Sequence, residues 1–393
     1  MIHGGRNVAL LAASQALMLS AVVLSMTLAG ILGATLAPDK GLATLPIAAM
    51  VVGTAIASIP ASLLMRRLGR RAGFLIGTAL GMAGSLLAAT GLHTQSFLWF
   101  VMGHLLIGAY QGFGNYYRFA AAEAAGPKDA SGAISWVVAG GVVAAFAGPQ
   151  IGVWGRDWLP QDAFVGSYIA QALLSLTAMA LLSRVELRKP VVAVGEQARS
   201  LREIIAQPTL RAAVVGAAAG YVVMIMAMTA APLAMLGCGF GAADVKPVIQ
   251  WHVFSMFVPS FFTGHLVARF GAPRVMQAGF LLLIGHVAVA ASGVAFLQFL
   301  AALVLLGVGW NFAFVGGTAL LTQSYRPSEQ TKVQALNEGV VFGVIALGSL
   351  GAGWLYDRFG WTTLNLAMLP LLVLALVWTM GVTRRQVTSP ETT

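Results

Sequence analysis

The sequence predicts an all-α membrane protein of twelve transmembrane helices arranged as two pseudo-symmetric six-helix bundles. Three observations carry that expectation. First, 58% of the 393 residues are hydrophobic and only 9% charged, with a mean hydropathy of +0.83, which excludes an ordinary soluble protein. Second, apolar stretches of about 20 residues cross a bilayer as helices. Twelve are present, at 7–34, 42–65, 72–91, 97–121, 130–154, 162–184, 209–236, 245–267, 273–291, 296–322, 331–356 and 361–381. Third, the chain repeats itself at an offset of 199 residues. Phe97-Leu98-x-Phe100 with Gly108 returns as Phe296-Leu297-x-Phe299 with Gly307, and Pro60 returns as Pro259. Two bundles, 1–184 and 209–393, follow, joined by a polar stretch, 185–208, too charged to be embedded and expected to be a cytoplasmic linker.

The net charge of +10 does not indicate a nucleic-acid partner, because the charges are segregated by side. With the N-terminus inside, Lys40, Arg156, Lys246 and Arg358 fall outside, and the other nineteen Lys and Arg lie on or near the inner side. That is the positive-inside bias, so both termini are expected to be cytoplasmic, with the chain expected in a bacterial-type inner membrane. The first apolar run is long enough to span and lacks a small-residue cleavage site, so it is expected to remain as the first helix. A single cysteine, Cys238, leaves no disulfide framework and no Cys-x-x-Cys metal site.

The first span holds Gln15, Ser20, Ser25 and Thr27 but no acid or base. After the second span comes Ser62-Leu-Leu-Met-Arg66-Arg67-Leu68-Gly69-Arg70-Arg71. It resembles the loop signature of the major facilitator superfamily, Gly-x-x-x-Asp-Arg-x-Gly-Arg-Arg/Lys, matching at Arg67, Gly69, Arg70 and Arg71. Ser62 replaces the Gly and Arg66 the Asp. The resemblance implies that fold, with an inner gate built from Arg66, Arg67, Gly69 and Arg70. Because Arg66 would be repelled by the positive end of the eleventh helix, Glu338 is expected to reverse the usual arrangement and pair with Arg66. Glu123 resembles the family's acidic partner for this loop and is expected to meet Arg67 or Arg70. A degraded copy, Gly264-x-x-x-Ala268-Arg269-Phe270-Gly271, stands in the second half.

In the fourth span, Gly108-Ala-Tyr-Gln111-Gly112-Phe-Gly114 resembles a drug/proton antiporter signature with Gly108 in place of its Arg. His104, Gln111, Asn115 and Arg118 are spaced by seven, four and three, which puts them on one helical face as a polar wall. Ionisable groups inside a span face the bundle interior or a watery pathway. Arg118 therefore lines the cavity or serves as a gate arginine paired with Glu338 or Glu123. The equivalent face of the tenth span presents Trp310 and Phe314, with Asn311 beside them. A polar wall opposite an aromatic one suits a flat organic molecule.

The seventh and eighth spans carry Met224-x-x-x-Met228 and His252-x-x-x-Met256. Each pair projects from one face of its own helix, and the short connection makes the helices antiparallel neighbours. From the loop, Met228 and His252 lie roughly 12 and 10 Å in, and Met224 and Met256 roughly 18 and 15 Å. Thioethers and an imidazole form a soft neutral donor set that suits Cu(I). The pattern resembles the CcoA-like copper importers of the same superfamily, which supply copper for bacterial haem-copper oxidase assembly. The resemblance implies copper import by alternating access, with copper as cargo rather than cofactor and a cytoplasmic copper acceptor as partner. The alternative is a carrier of a small aromatic metabolite or drug. A third reading, a non-transporting sensor or assembly factor on a carrier scaffold, has no extra domain or tail to support it. No nucleotide-binding Gly-rich loop or nucleophile-base-acid set is present, so no enzyme is expected.

Overall fold

A computed structural model describes residues 2–39, 42, 45–159, 162–187 and 198–388; Lys40 and residues 188–197 of the expected linker lie outside this set, and the side chains of Arg384 and Arg385 are likewise not described. Among the described residues the regular structure is entirely helical: α1 (Ile2–Leu36), α2 (Leu45–Leu68), α3 (Arg70–His93), α4 (Phe97–Gly114), α5 (Tyr117–Ala125), α6 (Ala130–Trp154), α7 (Val165–Leu182), α8 (Leu201–Ala206), α9 (Pro208–Gly237), α10 (Ala242–Phe257), α11 (Ser260–Phe270), α12 (Ala272–Ala291), α13 (Phe296–Thr322), α14 (Gln330–Leu366) and α15 (Leu369–Thr388).

Eleven described segments are long and apolar enough to cross a membrane. Two of the twelve expected spans are each divided, the fourth into α4 and α5 and the eighth into α10 and α11. The last qualifying segment, Gly351–Thr383, runs through Gly360. There the helix is interrupted by a left-handed backbone (φ 74°), between the expected eleventh and twelfth spans. Leu98 and Leu297, one repeat apart, are 66% and 72% exposed. Large apolar side chains bared at matching positions of both halves mark a lipid-facing surface.

The helix boundaries follow local chemistry. Ser96 caps α4, accepting from the Trp99 amide. Pro208 opens α9 in the first turn, where its missing N–H costs nothing. Gly69, which enters α3 at φ 90°, and Gly271, which enters α12 at φ 85°, supply the left-handed turns of the loop signature and its second-half copy.

The described chain forms two compact units. One comprises Met1–Pro127, Trp136–Val191 and Gln334–Gly339; the other comprises Lys128–Ser135, Val192–Val333 and Val340–Thr393. In the first, α4 is the central helix, packed on α2 and α3, with α7 on α3. In the second, α13 is central, packed on α12, α9 and α10, with α15 on α12 and α9. Lipid offers no hydrophobic drive for helix association, so close approach must come from small residues. Accordingly, a Cβ on Gly84 would come within 2.7 Å of the Gly103 carbonyl at the α3–α4 crossing. A Cβ on Gly279 would stand 2.8 Å from the Gly309 carbonyl at the α12–α13 crossing.

In the second unit, Arg199 is clamped to Glu329, just ahead of α14. The Arg199 amide, Nε and Nη2 all donate to the Glu329 carboxylate, at 2.9, 2.7 and 2.6 Å. The Arg326 amide donates at 3.1 Å. The Arg199 side chain in particular holds the Glu329 carboxyl down at about 2, against an ordinary value of 4.5. A lowered carboxyl contributes stability above its unfolded value and loses it as pH falls through the folded one. Thus the detergent-solubilised wild type should melt above Arg199→Gln at neutral pH, by an amount worth about 2 kcal/mol after allowance for the partly exposed arginine. The gap should close as pH falls from 4.5 towards 2; a gap independent of pH would show that the clamp is not electrostatic.

Candidate functional site

The aromatic residues of the second unit converge. Trp310 and Phe314, one turn apart on α13, stack with ring centroids 4.9 Å apart and planes at 12°. Tyr221 of α9 stands edge-on to both, 5.2 Å from each. Phe342 of α14 lies 6.2 Å from Tyr221, and Phe257 at the end of α10 lies 5.9 Å from Trp310. Four helices thus contribute to one cluster. Local sequence makes this possible, because Gly220 brings α9 against Ala313 of α13 and carries Tyr221 with it; a Cβ there would lie 3.1 Å from that of Ala313. Trp310 is buried, yet its indole N–H has no hydrogen-bond partner among the described residues. Stacked and edge-on rings with a spare donor are suited to a planar π-system bearing acceptors.

Asn311, next along the chain, does not join this cluster. Its Nδ2 donates to the Met256 carbonyl (2.7 Å) and the Ser260 hydroxyl (2.6 Å), and its Oδ1 accepts from Thr263 Oγ1 (2.8 Å). The α10–α11 break at Pro259 lacks an amide proton, and this one buried side chain ties its two sides to α13. The expectation that Asn311 lines a cavity is therefore corrected to a structural role.

His252, expected to face the methionines of the preceding helix, is anchored on α13. It is fully buried, with Nδ1 2.8 Å from the Leu303 carbonyl and Nε2 without a partner among the described residues. The α10 backbone is equally close to α13, since a Cβ on Gly307 would stand 2.7 Å from the His252 carbonyl and 2.9 Å from the Met256 amide. Met224 and Met256 are buried and Met228 is half-buried. Among the described residues, no three His, Cys, Asp or Glu side chains are grouped to hold a metal ion.

In the first unit the expected polar wall is dispersed. His104 turns to α7, with Nδ1 2.8 Å from the Phe100 carbonyl and Nε2 3.1 Å from the Tyr168 hydroxyl. Gln111 turns to α2, its Oε1 accepting from Thr54 Oγ1 at 3.2 Å. Asn115 ends α4, and Arg118 sits in α5 beyond the interruption. Heptad-like spacing fixes a face only along an unbroken helix, and the segment breaks at Asn115–Tyr116.

Arg118 meets Glu338 instead. Its Nη2 donates to Glu338 Oε1 at 2.5 Å, and the side chains are 7% and 0% exposed. The expected Arg66–Glu338 pair is not formed: Arg66 and Arg67 are exposed, with no ion pair among the described residues. The arginine on α5 lies beside the six-residue piece of α14 that belongs to this unit, whereas Arg66 sits at the exposed end of α2. Glu123 meets Arg70, at 2.5 Å from Nη2 and 3.3 Å from Nε, and Arg70 also donates to Gln334 Oε1 at 2.7 Å. Gly108 holds the place of the antiporter arginine because α2 leaves no room there; a Cβ would overlap the Met50 carbonyl.

Sequence reasoning singled out Trp310 and Phe314 through the 199-residue repeat, as the counterparts of Gln111 and Asn115. It missed Tyr221, Phe257 and Phe342, whose only signal was that they are aromatics on neighbouring spans.

The family model of the Major Facilitator Superfamily matches residues 8–259 and 249–393. The chain is 39% identical over 375 residues to the riboflavin transporter RfnT of Brucella anthropi, covering 95% of this chain and 94% of that protein. It is 29% identical over 373 residues to the uncharacterized MFS-type transporter YddS of Bacillus subtilis, covering 88% and 85%. Among solved structures, the E. coli fucose:proton symporter FucP superposes with a TM-score of 0.75 at 18% identity, over 95% of this chain and 98% of that one, a likeness of fold. With sequence match, helix order and internal repeat in agreement, this multi-pass membrane protein belongs to the major facilitator superfamily.

Proposed function

We propose that this carrier moves a planar aromatic metabolite of the flavin class, riboflavin or a close analogue, by alternating access. The observation that carries the reading is the five-ring cluster on α9, α10, α13 and α14, centred on the Trp310–Phe314 stack. The similarity to RfnT, named as a riboflavin transporter, supports the choice of an isoalloxazine-like ring. Such a ring would lie against the edge of the cluster, with the Trp310 N–H available to one of its carbonyl or imine acceptors. This reading takes up the aromatic-substrate alternative in place of copper import. The named relative and the anchoring of His252 Nδ1 on α13 support this choice. In this reading the chain sits in a bacterial inner membrane with both termini in the cytoplasm.

The test is riboflavin uptake by a riboflavin-requiring bacterium that lacks its own importer. Each variant would carry a C-terminal fluorescent protein, which matches expression and glows only if that terminus is cytoplasmic. Wild type should restore uptake. Trp310→Ala should lower it by about tenfold, since each ring contact is worth about 0.5–1.5 kcal/mol and several are lost. Met228→Leu should leave it within about twofold, as one exchanged thioether in an apolar helix is a mild change. Copper accumulation that depends on Met228, with no riboflavin uptake, would restore the metal reading instead.

A further inference from the structure

We propose that the Trp310 N–H donates to the ring nitrogen N5 of the substrate's isoalloxazine, and that the carrier therefore takes the oxidised flavin and rejects its dihydro form; this rests on the flavin reading of the same site.

The ring cluster is hydrocarbon with one buried donor. Three of its five rings, Phe257, Phe314 and Phe342, carry no polar atom, and the hydroxyl of Tyr221 belongs to a half-buried ring. The Trp310 indole nitrogen is buried among them and has no hydrogen-bond partner among the described residues. A donor left unpaired in such surroundings is costly. A ligand that brings an acceptor to it gains a hydrogen bond, whereas one that brings a second N–H leaves two desolvated donors facing each other.

The approach to the indole is set by the other rings. Phe314 lies parallel to it, with the planes at 12°, while Tyr221 and Phe257 stand edge-on at 85° and 81°. Phe314 and Phe342 are buried, and the two edge-on rings are half-buried. A flat ligand therefore meets the indole by way of Tyr221 and Phe257, edge first.

An isoalloxazine has an edge suited to that entry. Its polyol chain hangs from N10, and N5 lies on the opposite edge of the central ring. A ring that enters an apolar cluster while its polyol stays in the aqueous pathway leads with N5. The remaining acceptors, N1 and the two carbonyl oxygens, surround N3–H at the pyrimidine end, which calls for several polar partners. N5 instead adjoins the benzenoid ring, the part that aromatic hydrocarbon suits. Reduction to the dihydro form places hydrogens on N1 and N5 and folds the ring along the line from N5 to N10. The leading acceptor then becomes a donor, and the flat face is lost. Both changes oppose binding at Trp310.

Affinities of the purified full chain in nanodiscs, measured by equilibrium dialysis without oxygen, test this with four ligands. They are riboflavin, its dithionite-reduced form, and the analogues 5-deazariboflavin and 1-deazariboflavin, in which a C–H replaces the nitrogen concerned. With wild type, 5-deazariboflavin should bind about two- to tenfold more weakly than riboflavin, the worth of one hydrogen bond, and 1-deazariboflavin within about twofold of it. Reduced riboflavin should bind about tenfold more weakly or worse. In Trp310→Phe, which keeps a ring but has no N–H, riboflavin and 5-deazariboflavin should bind alike, a cycle that separates the contact from lost packing. The N5 contact is overturned if wild type binds 5-deazariboflavin as well as riboflavin, if the loss falls on 1-deazariboflavin instead, or if the 5-deaza penalty persists in Trp310→Phe. Reduced riboflavin bound within about twofold of the oxidised form overturns the redox selectivity. The wild-type measurements decide even where the variant does not fold. If wild type binds none of the four ligands, the flavin reading itself falls and takes the N5 contact with it.

Discussion

Arg118→Leu should destabilise the detergent-solubilised chain by about 3–5 kcal/mol, the usual result of stranding one member of a buried ion pair. The loss should appear as a drop of several degrees in melting temperature and a lower yield of monodisperse protein. Three features set the size. The pair is almost completely buried, Oε1 of Glu338 would keep only the Asn337 amide, and Oε2 has no partner among the described residues to begin with. The companion experiment separates charge from shape. In Arg118→Leu with Glu338→Leu, no charge is stranded, and replacing a buried pair by apolar groups is often neutral. The double variant should recover most of the stability. If it melts as low as the single variant, the pair matters for packing rather than charge.

The second large effect concerns Gly108. A leucine there should prevent α2 and α4 from closing, because even a Cβ would overlap the Met50 carbonyl and that oxygen belongs to a helix backbone. Overpacking of a flexible core costs about 1–3 kcal/mol. Where the obstacle is backbone the cost should reach or exceed about 3 kcal/mol, a large part of the 5–15 kcal/mol that holds a typical domain together. Gly307→Leu should behave alike, since the same repeat position meets the His252 carbonyl at the α10–α13 crossing. Gly343→Ala is the control, as nothing lies within 4 Å of its added Cβ. Membrane-inserted yield and thermal stability in detergent would report all three. A Gly108→Leu protein as stable as wild type would mean that the crossing is looser than described.

The spans were legible because a bilayer demands an apolar run of about 20 residues, a signal that survives whatever the packing. The 199-residue repeat was legible for a similar reason: Gly108 and Gly307 mark the same crossing twice, and a residue whose Cβ has no room leaves little choice of side chain. Partners across helices were much less so. Residue spacing fixes a direction about a helix's own axis but not the neighbour in that direction. His104 and Gln111, spaced to share a face, are claimed by α7 and by α2. Arg66 and Arg118 were both plausible partners for Glu338, and composition could not choose between them. The choice depends on where Gln334–Gly339 lies, which no local pattern encodes. The Trp310–Phe314 stack was within reach because both rings belong to one helix, whereas Tyr221 needed the register of α9 on α13, fixed by the small residue at Gly220.

That piece of α14 also imposes a timetable on synthesis. Arg118 precedes its partner by 220 residues, so at about 5–20 residues per second the ribosome supplies Glu338 roughly 10–45 s after the arginine has emerged. Throughout that interval the first unit lacks Gln334–Gly339, and Arg118 has yet to meet its buried carboxylate. The N-terminal half is therefore not finished when its own last helix is made. It waits for the far end of the chain.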